Sequence, residues 1–236
     1  NTVMDEKNKY TGMDILDLAQ MAPESVFDEA RKILETLVGY KELRMMYACA
    51  LKEVRTKFEV LDVEFNVRYS RNPINAIHTR LKSNQSILEK MQRRRIPFSL
   101  ENLEARIQDV AGVRVICSYV DDIYRLSEAL LRQDDVKLIA QKDYIQQPKP
   151  NGYRSLHLIV RVPVFFADQR RDLPVEVQIR TIAMDFWASL EHQLKYKQNV
   201  PEQEAIVEQL RHCAQRVSDL DEEMLAIRRR IEAAED

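Results

Sequence analysis

The sequence predicts an α+β fold: a mixed sheet of four to five strands flanked by helices, with helical extensions at both ends. Three observations support it. Apolar residues recur at steps of three or four up to Val67 and again after Pro201, the period of an amphipathic helix. Between these stretches, short runs rich in Val and Ile appear, one of them in strict alternation. No internal repeat or low-complexity linker divides the 236 residues. The expected parts are a helical extension over 1–71, a central domain over 72–200 and an amphipathic helix over 201–236.

Met4 to about Thr11 is polar and is expected to be loosely ordered. Pro23-Glu24-Ser25 opens a helical pattern that runs to about Val38, and a longer pattern follows from Tyr40 to about Val67. Leu43, Tyr47, Ala50, Val54, Phe58, Leu61 and Phe65 form the stripe of the second. Asn72-Pro73 begins a new segment, with helix expected from about Ser86 to Arg94. Ile96-Pro97-Phe98 breaks it, and Ser99 to Glu104 restarts with a capping-box pattern. Gly112 to Val120 reads as a strand and Asp122 to Arg132 as a helix. Val136 to Ile139 and Leu156 to Val164 are further strands. Leu173-Pro174-Val175-Glu176-Val177-Gln178-Ile179-Arg180 is the clearest strand, and Ala183 to Lys197 returns to helix. In the last helix Ile206, Leu210, Cys213, Val217, Leu220, Met224, Ile227 and Ile231 alternate steps of four and three. Such a heptad-like seam either packs on the protein's own helices or joins copies of the chain.

Composition narrows the function. The chain is 45% hydrophobic and 31% charged, with a formal net charge of −2. No global positive field recruits nucleic acid, so an anion site must be local and no DNA partner is expected. No apolar run reaches the roughly 18 residues of a membrane span, and no signal-peptide pattern is present. Cys49, Cys117 and Cys213 lack metal-ligand spacing and read as reduced thiols of a cytoplasmic protein. Gly12, Gly39, Gly112 and Gly152 stand alone, which excludes a P-loop and a GxGxxG fingerprint. Any phosphate must therefore be held by side chains.

Lys142 to His157 is the richest stretch. Pro148 and Pro150 stiffen it, and Asn151-Gly152 is a turn signal that tolerates positive φ. The segment presents Lys149, Tyr153, Arg154 and His157 from a constrained frame. Cations beside aromatic rings suit a nucleotide; a solvated hairpin connection is the plainer alternative.

Two further groups carry chemistry. On the alternating strand Val175, Val177 and Ile179 face the core, and Glu176, Gln178 and Arg180 face away from it. Asp109 precedes a neighbouring strand, and two carboxylates at adjoining sheet positions suit Mg²⁺, which takes few protein oxygens. Arg80, Lys82, Ser86, Lys90, Arg93 and Arg94 could hold a triphosphate, or form a plain charged face.

Several motifs occur in order: Arg80-Leu81-Lys82-Ser83, Asp109-Val110-Ala111-Gly112-Val113-Arg114, Lys142-Asp143-Tyr144-Ile145, Pro148 to His157, and Glu176-Val177-Gln178-Ile179-Arg180-Thr181. From about Asn72 to Lys197 the chain closely resembles the synthetase domain of the RelA/SpoT family, the (p)ppGpp alarmone synthetases. The length and flanking helices resemble its small single-domain members. The His-Asp motif of the family's hydrolase domain is missing, since His78, His157, His192 and His212 precede Thr, Leu, Gln and Cys; alarmone hydrolysis is not expected.

The resemblance implies a nucleotidyltransferase-like sheet and transfer of pyrophosphate from ATP to the 3′-hydroxyl of GDP or GTP, releasing AMP. Asp109 and Glu176 would bind Mg²⁺, and Glu176 would accept the hydroxyl proton. Arg80, Lys82, Ser86 and Lys90 would hold ATP phosphates, with Arg80 and Arg114 around adenine. On the acceptor side Tyr153 would stack on guanine, and Lys142, Lys149 and His157 would take phosphates. Asn151 falls in the same acceptor motif, and Gln178 would hold the acceptor or Glu176. A homotetramer is implied, as is regulation by alarmone or single-stranded RNA. Two other readings stay open: a nucleotidyltransferase acting on RNA or another nucleotide, and a nonenzymatic nucleotide or RNA sensor.

Overall fold

The computed structural model describes residues 24–195 and 201–235. The Met4 to Thr11 segment and the end of the helix expected to reach Lys197 lie outside them. The chain divides into two compact units, residues 1–43 and 44–236. The described part of the first is helical, with Val26, Phe27, Ile33, Leu34, Leu37 and Val38 exposed. It belongs to helix α1 (Glu24–Tyr69), which also opens the second unit. The sequence predicts two helical patterns here, and they form one helix. Gly39 lies within it, because a lone glycine costs only about 1 kcal/mol against alanine and Leu37, Lys41, Glu42 and Leu43 nearby are good helix formers.

The second unit is built on a five-stranded sheet in the order β1-β2-β5-β4-β3, formed by β1 (Ile74–Leu81), β2 (Ala111–Cys117), β3 (Lys137–Asp143), β4 (Leu156–Phe165) and β5 (Arg170–Thr181). β2 and β5 run parallel and every other pair is antiparallel, so the sheet is mixed as expected. β1 was not anticipated as a strand. Its sequence, INAIHTRL, alternates poorly because it is an edge strand with most of its side chains partly or fully exposed. In β4 alternation is clean and in β5 one face is buried along its length: Leu156, Leu158, Val160 and Val162 are buried, as are Leu173, Val175, Val177 and Ile179. Tyr47, Ala50, Val54 and Phe58 of α1 are fully buried too, as the stripe predicted.

Four further short helices complete the body: α2 (Asn84–Arg93), α3 (Leu100–Arg106), α4 (Val120–Leu131) and α5 (Ile182–Lys195). Ser83 caps α2 and Ser99 caps α3, each accepting a backbone N–H from three residues on. Beneath the start of α4 lies a partly buried ion cluster, with Asp122 and Arg228 at its buried centre. Arg71 donates two hydrogen bonds to Asp122 (2.8 and 2.6 Å), and Arg228 donates two to Asp121 (3.0 and 2.5 Å).

Arg228 comes from the last helix, α6 (Gln203–Glu235). The expected seam of α6 is split. Leu210 and Val217 pack with Ala214 against Trp187 and Ala188 of α5. Further along, Asp221 and Arg228 occupy the inward positions, and Leu220, Met224, Ile227 and Ile231 are exposed. Among the described residues no helix is long and apolar enough to cross a membrane.

Candidate active site

The face of the sheet opposite the apolar core carries two rows of side chains, aligned by strand register. Lys142 pairs with His157, His157 with Gln178, Gln178 with Arg114, and Arg114 with His78. One step along, Ile159 pairs with Glu176, Glu176 with Gly112, and Gly112 with Arg80. Residues separated by up to a hundred positions therefore become neighbours for one reason, the two-residue period of a strand.

Two clefts open on this face. One, of about 350 Å³, is lined by Arg80, Gly112, Arg114, Glu176 and Gln178 together with His78. The other, of about 270 Å³, is lined by Lys90, Arg94, Arg106, Asp109, Lys142, Tyr144, His157 and Glu176. Glu176 lines both.

Asp109 sits just ahead of β2, beside the end of β1, because Lys82 N–H donates to the Val110 carbonyl at 2.8 Å. Its Oδ2 meets Lys82 Nζ at 3.0 Å and Lys90 Nζ at 2.7 Å. Burial alone would raise this carboxyl, but the hydrogen bonds and charges of Lys90 and Lys82 outweigh it and hold Asp109 below its ordinary range. Oδ1 of Asp109 is buried with no hydrogen-bond partner. A bare buried carboxylate oxygen, in the cleft that Glu176 also lines, fits a hard divalent cation whose other ligands are phosphate and water. Among the described residues no group of three or more His, Cys, Asp or Glu gathers as a metal site, so this fit is of the two-carboxylate kind.

Glu176 Oε1 accepts from Gln178 Nε2 at 2.5 Å. Gln178 Oε1 in turn accepts from Arg180 Nη2 at 2.6 Å. Arg180 was expected beside Glu176 and Gln178 on the open side of the strand. It is instead 2% exposed, covered by Tyr153 and Asp185. Burial lowers its pKa. Alternation gave the right face, but the loop and helix that cover that face are set by tertiary packing. Arg114 stays partly exposed, 3.7 Å from Asp185, and its Nε is buried without a partner.

The loop before β4 folds into an aromatic cluster. Tyr144, Tyr153 and His157 meet edge to face, with centroids 5.1 to 6.0 Å apart. Lys149 Nζ lies 4.7 Å from the Tyr144 ring centre and 4.8 Å from that of Tyr153. Burial raises the Tyr153 phenol, with Arg180 opposing. His157 is pushed down to about 3 by burial and then by the charges of Arg180, Lys149, Lys142 and Arg114. It is thus a neutral ring at neutral pH, and any phosphate contact it makes is a hydrogen bond without charge. Tyr144, which lines the cleft, was missed as a site residue although it sits in the Lys142-Asp143-Tyr144-Ile145 motif; its ring between Lys142 and Lys149 was the available signal.

Other expected residues are placed elsewhere. Ser86 stands at the α2 capping turn, hydrogen-bonded to Ser83. Asn151 shapes the loop, its Oδ1 accepting Tyr153 N–H at 3.1 Å. Arg154 points to α6, donating to Gln215 at 3.0 Å. Gly152 adopts φ +96°, and a Cβ there would come within 2.6 Å of the Ala214 Cβ, so the loop and α6 meet with no room for a side chain.

The profile of the "Region found in RelA / SpoT proteins" matches residues 79–201. The chain is 40% identical to the GTP pyrophosphokinase YwaC of Bacillus subtilis over 205 residues, covering 87% of this chain and 96% of that one. It is 39% identical to the B. subtilis GTP pyrophosphokinase YjbM over 201 residues, covering 84% and 90%. The crystal structure of B. subtilis small alarmone synthetase 1 bound to its product pppGpp superposes with a TM-score of 0.74 at 37% identity, over 82% of this chain and 98% of that one.

Proposed function

The chain belongs to the RelA/SpoT family, and from that premise we propose that it is a GTP pyrophosphokinase that makes (p)ppGpp. The 3′-oxygen of GDP or GTP attacks the β-phosphorus of ATP. The bond from that phosphorus to the α,β-bridging oxygen breaks, AMP leaves, and the pyrophosphoryl group stays on the acceptor. The observation that carries this reading is the sharing of Glu176 by two clefts, one carrying Arg80 and Arg114 and the other Lys90, Lys142, Tyr144 and His157 along with Arg94 and Arg106. Two nucleotides laid in them would have their reacting ends at one carboxylate.

In this reading Arg80 and Arg114 take adenine, since guanidinium planes stack and keep their charge. Lys82 and Lys90 neutralise phosphate oxygens and hold Asp109 ionised. Lys142, Lys149, Tyr144 and Tyr153 serve the acceptor. Glu176, with Oε1 committed to Gln178, takes the 3′-hydroxyl proton. Asp109 and Glu176 would hold Mg²⁺, which when bound supplies Lewis-acid stabilisation of phosphate charge.

The test is incubation with labelled ATP and, separately, GDP, GTP, GMP and oligoribonucleotides. Release of AMP with a pyrophosphorylated guanosine nucleotide is expected. Extension of the oligonucleotide would instead favour a different nucleotidyltransferase, and binding without AMP release a sensor. We also read the chain as a cytoplasmic homotetramer. The exposed Leu220, Met224, Ile227 and Ile231 of α6 support self-association, and a light-scattering mass near 27.8 kDa would exclude it. Regulation by alarmone or single-stranded RNA is part of the same proposal, tested by adding each to the turnover assay.

A further inference from the structure

Arg180 is an odd investment for stability. A guanidinium 2% exposed normally needs a close bidentate carboxylate to offset desolvation. Its nearest carboxylate oxygen here, Asp185 Oδ1, is 3.4 Å from Nη1, and Arg180 Nε is buried without a partner. The short bonds go to neutral groups, both from one nitrogen: Nη2 donates to Gln178 Oε1 at 2.6 Å and to the Tyr153 hydroxyl at 2.8 Å. A terminal guanidinium nitrogen has two N–H groups, so Nη2 is fully used.

Arginine donates and never accepts, which fixes the polarity of the Gln178 branch and leaves the phenol proton of the Tyr153 branch available to a second partner. Gln178 must turn its oxygen to Arg180, so its amide N–H₂ faces Glu176 and donates to Oε1. The Tyr153 oxygen already accepts from Arg180, so its single proton is free to be given to His157 Nε2, 2.7 Å away. His157 then carries its own proton on Nδ1.

We propose that Arg180 is a positioning residue for the transfer: one buried guanidinium nitrogen orients Glu176 through Gln178 and His157 through Tyr153, locking the two halves of the site into one geometry. The functional half rests on the pyrophosphokinase reading; the hydrogen-bond polarity does not. Asp185 steadies the branch point and also reaches Arg114 at 3.7 Å, so the adenine side is tied to the same anchor.

The first measurement needs no activity. In the unaltered protein labelled with ¹⁵N-histidine, long-range ¹H–¹⁵N correlation reads the tautomer of each ring, and His157→Gln identifies the His157 signals. A neutral His157 protonated on Nδ1 is expected. Protonation on Nε2, with the phenol turned to its neighbour Ser155 instead, would overturn the proposal. The second uses Arg180→Lys, which keeps the charge but cannot donate twice in a fixed plane. His157 should lose its single tautomer, and kcat per folded molecule should fall roughly 100-fold, the scale of a misplaced reacting group, with KM for ATP changed less than KM for the acceptor. An unchanged tautomer with turnover reduced only in proportion to unfolded protein would overturn it. If Arg180→Lys does not fold, Tyr153→Phe cuts the chain at its next link and leaves the guanidinium in place. It should free the His157 tautomer and raise acceptor KM, and an unaltered ring in that variant would count equally against the proposal. Absence of turnover in the unaltered protein, with Nδ1 protonated, would sink the synthetase reading and leave the polarity standing.

Discussion

Two clusters in this molecule use the same materials, aspartates and long cations, to opposite ends. Under α4, all four carboxylate oxygens of Asp121 and Asp122 receive a hydrogen bond from Arg228 or Arg71. In the cleft, Asp109 has two lysines crowded onto one oxygen and a buried, bare second oxygen. The first cluster is closed: planar guanidinium forks match planar carboxylates. The second is open, held by point-charge ammonium groups that can turn toward an incoming phosphate. A charged group's part in function is thus better read from the oxygen left without a partner than from the ion pairs it makes.

Substitutions should separate the two. The largest effect belongs to the open cluster. Glu176→Gln and Asp109→Asn should each lower AMP release at least about 1,000-fold, the scale of losing general-base or charge-stabilising groups, while thermal melts stay close to the parent. Near-normal turnover in either variant would remove the carboxylate site. Next comes the closed cluster. Arg228→Ala takes both hydrogen bonds from partly buried Asp121, while Asp122 keeps Arg71, and should cost up to about 3 kcal/mol of stability, read by denaturant titration. Turnover per folded molecule should change little, and a selective loss of turnover would blur the distinction between the clusters.

Smaller effects refine the cleft. Tyr153→Ala should raise KM for the guanosine acceptor by about 1–3 kcal/mol in free-energy terms, the worth of a base–aromatic stack, and leave KM for ATP nearer the parent. Equal losses for both would contradict acceptor stacking. The mildest probe is pH. His157 is depressed from 6.5 to about 3. Between those values the unfolded chain binds a proton that the folded chain refuses, so its contribution to stability is full above 6.5 and is lost as pH falls toward 3. Asp109 and Asp121, held below 3.8, add their losses only at lower pH. His157→Gln should therefore flatten the stability profile between pH 6.5 and 4, and an unchanged slope there would contradict a buried neutral ring.

The legible parts of the fold were those where one period governs burial. β5 and the α1 stripe from Tyr47 to Leu61 were readable because each buries one face along its length. The edge strand β1 hid because none of its positions is fully buried, leaving no alternation to detect. The α6 seam packs on the body only in its first half. Its apolar period continues to Ile231, but the body offers it a polar surface at Thr181 and Asp121, so Asp221 and Arg228 turn inward. Parallel pairing of β2 with β5 brings Asp109 and Glu176 to one cleft, the adjacency that their motifs beside two strands predicted. Arg180 was missed because nothing local says which side of a strand a distant loop will cover.

The contact at Gly152 has a consequence for exchanging parts between proteins. Because that glycine has no space for a side chain beside Ala214, the loop before β4 and the C-terminal helix form a matched pair, although more than sixty positions separate them. A chimera that took residues 142–157 from one relative and its last helix from another would keep every motif and still misplace Tyr153 unless position 214 stayed small. The loop is not a cassette; its portability ends at the helix that backs it.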